Sequence, residues 1–448
     1  MPDAYVFVVV AAILVAAATM VAGASPLVTA GAFGDGFWSL IPFTMQMAFV
    51  VIGGYVVASS PPVARLLDRL ALIPQTGRGA ICFVAVASML TSLVHWGLSA
   101  ILSGVLVRAL ARRTDLRMDY RAAGAAAYLG LGSVWALGLS SSAAQLQANP
   151  ASMPASLLAI TGVIPFSETI FLWQSMLLAA LLIGLTLWIA WLTAPGDARI
   201  QTAQELEVET TDPRPTDDRP TRPGEWLEFS PLLNLLIAAL GFGWLAREFA
   251  HKGAIMAISS LNAFNLLFLM LGLVLCWRPR TYLNIVARAV PGVGGILIQF
   301  PLYGGIAAML TSAPGSDGAS IAHHLAEMFA SLASRESFPV LLGGYSAALG
   351  FFVPSAGGKW LMEAPYVMRA AIDLKSHLGW AVQTYNAAEA LPNLISPFWM
   401  LPLLGVLRLK ARDIMGYMIV QFGVHLPVVL LLLWLLGMTL QYRPPIAP

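Results

Sequence analysis

Charge is scarce in this 448-residue chain: 11% of its residues are Asp, Glu, Lys or Arg, and they leave a net charge of only +2. So small a balance excludes nucleic acid as a partner, which would call for a basic stripe or patch. Cysteine is scarcer still. Cys82 and Cys276 lie in or beside apolar runs, with neither metal-ligand spacing nor a disulfide framework around them. His323-His324, in what reads as a polar loop from Thr311 to Ser337, has no partner at ligand spacing, so no metal site and no cofactor is expected. Apolar residues, by contrast, make up 58% of the chain, and the mean hydropathy is +0.76. These values exclude a soluble globular domain. Runs of about 20 apolar residues recur, the length a helix needs to cross hydrocarbon, so the lipid bilayer is the expected solvent. The first run, Ala4 to Gly23, has no basic stretch before it and no cleavage site after it, and is read as a retained span.

Basic residues recur in alternate loops: Arg65, Arg69 and Arg78; Arg108, Arg112, Arg113, Arg117 and Arg121; Arg278, Arg280 and Arg288; Arg408, Lys410 and Arg412. By the positive-inside rule these loops share the cytoplasmic face. Only about 30 residues, Gly79 to Val107, separate the first two clusters, too few to cross twice, so a re-entrant hairpin turning at His95-Trp96-Gly97 is predicted. Phe338 to Arg369 is again too long for one span and is interrupted by Pro354-Ser355-Ala356-Gly357-Gly358-Lys359, a second tip near 354–359. Each hairpin precedes a run expected to break. The first passes through Gly130, Gly132, Gly138 and Ser140-Ser141-Ser142; the second through Leu391-Pro392-Asn393. Gln46 and Gln299, His95 and Pro354, Tyr128 and Tyr385 pair at offsets of roughly 255 residues, a long-period repeat of the transporter kind. With the basic loops held inside, the hairpins enter from opposite faces. The predicted fold is an all-α polytopic membrane protein of about nine spans plus two re-entrant helical hairpins, arranged as two inverted-topology repeats with broken helices. Residues 1–194 form the first repeat, 195–228 a disordered cytoplasmic linker, 229–250 a connecting span and 251–448 the second repeat.

Broken helices in a membrane expose N–H groups and positive dipole ends, which suit an anionic substrate. Ser140, Ser141 and Ser142 add hydroxyls at the first break, and Asn393 and Ser396 an amide and a hydroxyl at the second. Single Ser residues satisfy local backbone groups about as often as they line a site; as a set they favour a site. Ionisable residues within apolar stretches are costly and narrow the search to His95, Glu168, Lys359, Glu363, Glu389 and His425. Lys359 offers charge to a carboxylate, against the plainer reading of a snorkelling Lys. Glu389 is a candidate for carrying a coupling H+ or Na+, together with Asn393, against the plainer reading of an ion pair with a nearby Arg or Lys. His95 either meets substrate or caps a helix as a buried neutral ring. Glu168 and Glu363 are placed near interfaces. Gln46, Gln299 and Trp360 are further cavity candidates, whereas Trp38, Trp173, Trp188, Trp191, Trp226 and Trp277 read as interfacial anchors.

The chain resembles the bacterial short-chain fatty acid transporter family, the acetoacetate and butyrate permeases, over nearly its whole length. The resemblance rests on Gly34-Asp35-Gly36-Phe37-Trp38, Met45-Gln46-Met47-Ala48, Trp96-Gly97, Val353-Pro354-Ser355 with Gly357-Gly358, Pro397-Phe398-Trp399 and Arg412-Asp413-Ile414-Met415-Gly416-Tyr417. It implies ion-driven transport of short monocarboxylates in an inner membrane, with hairpin tips and broken helices around the substrate. By analogy with the wider transporter group, it also suggests a possible homodimer. Family members tend to carry Asn where this chain has His95 and His where it has Lys359, while Glu389 and Asn393 match. An amphipathic segment common before the family's first span is not seen here. Three rival readings fit less well. An intramembrane enzyme would need a nucleophile and base at a spacing that the serines and His95 do not provide. A channel fits inverted halves with two hairpins less well than alternating access does. A dicarboxylate transporter should want more positive charge than Lys359 alone.

Overall fold

The computed structural model describes residues 4–210, 222–351 and 356–445, and these fold into helices without a named strand. The chain begins with α1 (Ala4–Val21), α2 (Pro26–Ser39) and α3 (Ile41–Ala58), and then α4 (Pro61–Leu70). Two antiparallel-paired helices follow, α5 (Gly77–Val94) and α6 (Trp96–Ala111), joined through the single extended residue His95. The next run is broken as expected: α7 (Tyr120–Leu129) widens into a π-turn at 130–134, tightens at 135–137, is extended at Gly138, and resumes as α8 (Ser142–Gln147). Then come α9 (Ala155–Thr161), α10 (Trp173–Thr193), α11 (Trp226–Phe229), α12 (Leu232–Lys252), α13 (Ala254–Ser259), α14 (Leu261–Cys276) and α15 (Pro279–Ala289). A similar order recurs: α16 (Gly294–Ser312), α17 (Ile321–Leu332), the pair α18 (Phe338–Gly350) and α19 (Ala356–Asp373), α20 (Leu378–Ile395), α21 (Pro397–Leu407) and α22 (Ala411–Gly437). In each series a long apolar helix precedes a short helix, a packed pair, an interrupted run and a final long helix.

Among the described residues, seven helices are long and apolar enough to cross a membrane, or eight if the bent pair α20–α21 counts as one span. The predicted figure of about nine is reached only by setting α5 aside as a hairpin arm and counting the shorter apolar α1 and α14. Burial separates the two kinds of span. The broken run Tyr120–Gln147 is 89% buried, whereas α12, α22 and α10 are 22%, 28% and 33% buried. An interrupted ladder facing lipid would leave backbone groups unpaired, so protein must surround it. Two hydrophobic clusters provide that surround, one built largely on α5–α7, α10 and α20–α22, the other on α3, α8, α9, α14 and α16–α20. The helix α20 contributes to both.

Three expectations are corrected. The second break falls at Ser396, not at Leu391-Pro392-Asn393: α20 runs through Pro392 to Ile395 and then bends by 47°. Pro392 only removes one N–H from the ladder, while Pro397 drives the residue before it, Ser396, into extended geometry (φ −84°, ψ 111°). Thr311 to Ser337 is no simple polar loop, because Ser320 caps α17 and Ala322, Ala326 and Phe329 bury one face of it; His323 and His324 stay exposed beside Glu327 and Asp317. The stretch assigned to a disordered linker, 195–228, is docked as far as Glu209. Asp119 accepts from Gln201 N at 2.9 Å, Tyr120 N donates to Gln201 O, Ala203 is buried, and Glu209 pairs with Arg408 at 2.6 Å. Residues 211–221 lie outside the described residues. Three of the four basic loops meet on one face: Arg112 reaches Asp68, Arg113 the carbonyls of Ala71 and Pro74, and Arg108 that of Val406.

Candidate functional site

Small residues let the first hairpin and the first break approach closely. A Cβ on Gly138 would lie 2.2 Å from Leu93 O, so only glycine fits there. Ser88 on α5 fills in where the π-turn frees backbone groups, accepting from Gly130 N at 3.0 Å and donating to Ala127 O at 2.6 Å. Ser140 Oγ accepts from Trp96 N at 2.5 Å, tying the break to the tip. Ser141 Oγ caps α8 through Ala144 N at 3.1 Å. Both serines therefore satisfy backbone groups. Ser142 is different: it faces a cavity.

That cavity lies where both hairpins and both breaks meet. Trp96, Ala356 and Gly357 come from the hairpins, Leu131, Trp135 and Ser142 from the first break, and Asn393 and Trp399 from either side of the second. Met47, Ile296 and Phe300 complete an apolar wall. Its volume is about 30 Å³; with roughly 10–15 Å³ needed per water, it takes two waters and not a four-carbon acid. The cavity as it stands is too small to hold the acid. Three indoles stack edge to face across the cavity, Trp135 on Trp96 at 6.5 Å and Trp96 on Trp399 at 6.0 Å. Tyr128 on α7 donates to Asn393 O at 2.7 Å and holds the second break against the first.

The other sequence candidates fall elsewhere. His95 is fully buried, accepts at Nδ1 from Leu98 N at 3.2 Å, and packs on Phe264 and Phe268 at 5.3 and 4.2 Å, so it caps α6 and does not line the cavity. Gly97 lies beside it, near Val50 O. The second tip is shorter than predicted, since 356–359 already belong to α19; Pro354 and Ser355 lie outside the described residues. Gly358 packs on Tyr303, where a Cβ would come within 2.1 Å of the ring. Trp360 packs on Tyr385 at 4.6 Å rather than on the cavity. Gln46 is bonded to Asn262 at 2.9 Å and to Ser152 at 2.8 Å, the neighbour-helix partnership that a mid-span amide requires. Gln299 is buried in α16, and Ser396 stands at the N-terminus of α21 without a side-chain capping bond; neither lines the cavity. The six tryptophans read as interfacial are all half exposed or more, from Trp191 at 48% to Trp38 at 71%.

Lys359 turns away from the cavity into a buried ion cluster. Its Nζ lies 2.5 Å from Glu389 Oε2 and 3.7 Å from Glu363 Oε1, donates to Ser346 O at 2.6 Å, and sits 4.9 Å from the Tyr385 ring. Ser346 Oγ donates to Glu363 at 2.5 Å. All three charged side chains are fully buried, which corrects the interfacial placing of Glu363. Glu168, by contrast, sits at a helix end with Arg443 and His377. Glu389 Oε2 is taken up by Lys359, while Glu389 Oε1 has no hydrogen-bond partner among the described residues. Glu389 lies one helical turn before Asn393, and Lys359 two residues after Gly357. The cluster therefore adjoins the cavity through both helices. Trp135 was missed from the sequence; its one signal is an aromatic residue between Gly132 and Gly138 inside a run expected to break.

The chain is similar to known proteins over almost its whole length. Residues 1–436 match the family model described as short chain fatty acid transporter. A protein of Escherichia coli (strain K12) is 32% identical over 94% of this chain and 92% of its own length, and one of Haemophilus influenzae is 30% identical over 92% and 91%. Both are provisionally named short-chain fatty acid transporters. The fold is similar to the Alcanivorax borkumensis YdaH transporter (TM-score 0.57, 16% identity, 98% of both chains). It is also similar to Neisseria gonorrhoeae MtrF, of a class of antimetabolite efflux pumps (TM-score 0.63, 14% identity, 100% of this chain and 98% of that one). The protein is a multi-pass membrane transporter and not an enzyme, and it belongs to the short-chain fatty acid transporter family.

Proposed function

We propose that this protein moves short-chain monocarboxylates, of the size of butyrate or acetoacetate, across a bacterial inner membrane by cation-coupled alternating access between two inverted repeats. The cavity carries the reading: neutral donors and apolar walls, supplied by both hairpins and both breaks, suit one carboxylate on a short aliphatic chain. A dicarboxylate fits less well, because Lys359 is committed to Glu389 and Glu363 instead of facing the cavity. The recurring order of elements supports repeats that rock about a shared midpoint, with α5–α6 and α18–α19 as re-entrant arms.

The ion cluster is the proposed coupling element, and its formal charges favour H+ over Na+. One lysine and two glutamates leave one negative charge deep in the protein, a costly state that a single proton neutralises. The Lys359 ammonium already occupies the space between the carboxylates, and a metal cation placed beside it would be repelled. The test is uptake of labelled butyrate and acetoacetate into proteoliposomes, with H+ and Na+ gradients imposed separately. Accumulation driven by the proton gradient, lost in Glu389→Gln while exchange of substrate persists, is the expected result. Uptake of neither acid under any gradient would refute the substrate, and accumulation driven by Na+ alone would refute the ion.

A further inference from the structure

Two buried polar atoms on that cavity have no protein partner among the described residues: the indole N–H of Trp135, a donor, and Asn393 Oδ1, an acceptor. Trp135 is 5% exposed and lines the cavity, yet its indole N–H is buried without an acceptor among the described residues. No protein group accepts from it, so its partner is whatever occupies the cavity, a water or a bound ligand. Trp135 is also held in place. Its short 135–137 turn runs from the π-turn sewn to Ser88 into Gly138, which is pressed against Leu93 O, and its ring rests on Trp96.

We propose that the indole N–H of Trp135 is the neutral donor that receives the substrate's carboxylate. This inference rests on the monocarboxylate reading above and specifies how the head group is held. An indole donates and never accepts, and it carries no charge in any protonation state, so it binds an anion without offering a fixed cation. Ser142 Oγ and the Asn393 amide line the same cavity and supply the remaining head-group contacts, while Leu131 and Phe300 meet the aliphatic chain. Such a site binds carboxylates while leaving Lys359 to its glutamates, so substrate and coupling proton occupy adjacent but separate places. A second carboxylate on the substrate would be forced against Leu131 and Phe300, which accounts for selection of monoacids.

The experiment is a thermal-shift titration of the purified full-length protein with butyrate, in wild type and Trp135→Phe. Phenylalanine keeps an aromatic ring but removes the donor together with part of the indole's volume. A charge-assisted hydrogen bond lost here is expected to weaken butyrate binding by about 10- to 100-fold, moving the titration midpoint by that factor. The lost ring volume is expected to lower the ligand-free melting temperature slightly, so the donor is read from the butyrate midpoint and not from that fall. Equal midpoints in the two proteins would overturn the inference. If wild type itself shows no butyrate-dependent shift, it is the monocarboxylate reading that fails. Should the variant not accumulate, wild type alone gives the answer in a Raman difference spectrum. Butyrate should then move one tryptophan's N–H hydrogen-bond marker to its bonded position, and an unchanged spectrum overturns the proposal.

Discussion

The two hairpins solve the same problem by different chemistry. At the first, every group near the tip is neutral: the His95 ring and Ser140 take up the free N–H groups of Leu98 and Trp96, and Ser141 caps the adjoining helix. At the second, Lys359, Glu363 and Glu389 are sealed in with Ser346 and Tyr385. Neutral caps need nothing from outside and hold a scaffold; a buried cluster with one excess negative charge changes its energy whenever a proton arrives. On the proposed reading, the first half positions the substrate and the second half responds to an ion.

Removing Lys359 should produce the largest effect. Lys359→Ala leaves two buried carboxylates uncompensated and is expected to cost roughly 3–5 kcal/mol, read as a fall in melting temperature. Adding Glu389→Gln should recover much of that loss, since the two residues act as a unit. A single variant as stable as wild type would show that the pair is not formed. Gly138→Ala probes the first half: its new methyl meets the Leu93 carbonyl, so a destabilisation of about 1–3 kcal/mol is expected, larger than for Ala at the unhindered Gly184.

The neutral tip should tolerate change better. His95→Asn keeps an N-cap acceptor and is expected to hold stability within about 1 kcal/mol, with proton-driven uptake retained, whereas His95→Ala loses the cap at a cost of about 0.5–2 kcal/mol. Abolition of coupling in His95→Asn would break the division of labour between the halves.

The smallest effect belongs to the docked strap at 199–209. The Arg408 guanidinium beside Glu209 holds its carboxyl below the usual carboxylate value. A depressed carboxylate stabilises docking above the unfolded pKa of about 4.3. That contribution is lost as the pH falls through the lower folded value. Cleavage of the strap by pepsin should therefore rise on acidification through that window, and Glu209→Gln should modestly speed tryptic cleavage after Arg199 at neutral pH. Because the pair is exposed, high salt should mimic the variant.

Composition and the spacing of basic loops determined by themselves that this chain spans a membrane many times, because hydrocarbon admits few alternatives to apolar helices about 20 residues long. The first turn at His95 and the first break near Gly138 were legible for the same reason: glycine and serine clusters inside an apolar run have no place in a lipid-facing helix. Tertiary structure alone decided which of those polar residues face the cavity. His95, Ser140 and Ser141 are within reach of free N–H groups and are used up by them, while Ser142, one position further, is not. The second break moved to Ser396 because the proline after a residue constrains it more than a proline four residues upstream. Lys359 and Glu389 stand 30 positions apart, and no local pattern could announce that α19 and α20 would bring them to 2.5 Å. Pairing of charges, like the unmatched N–H of Trp135, depends on distances across helices, and these exist only once the chain has packed.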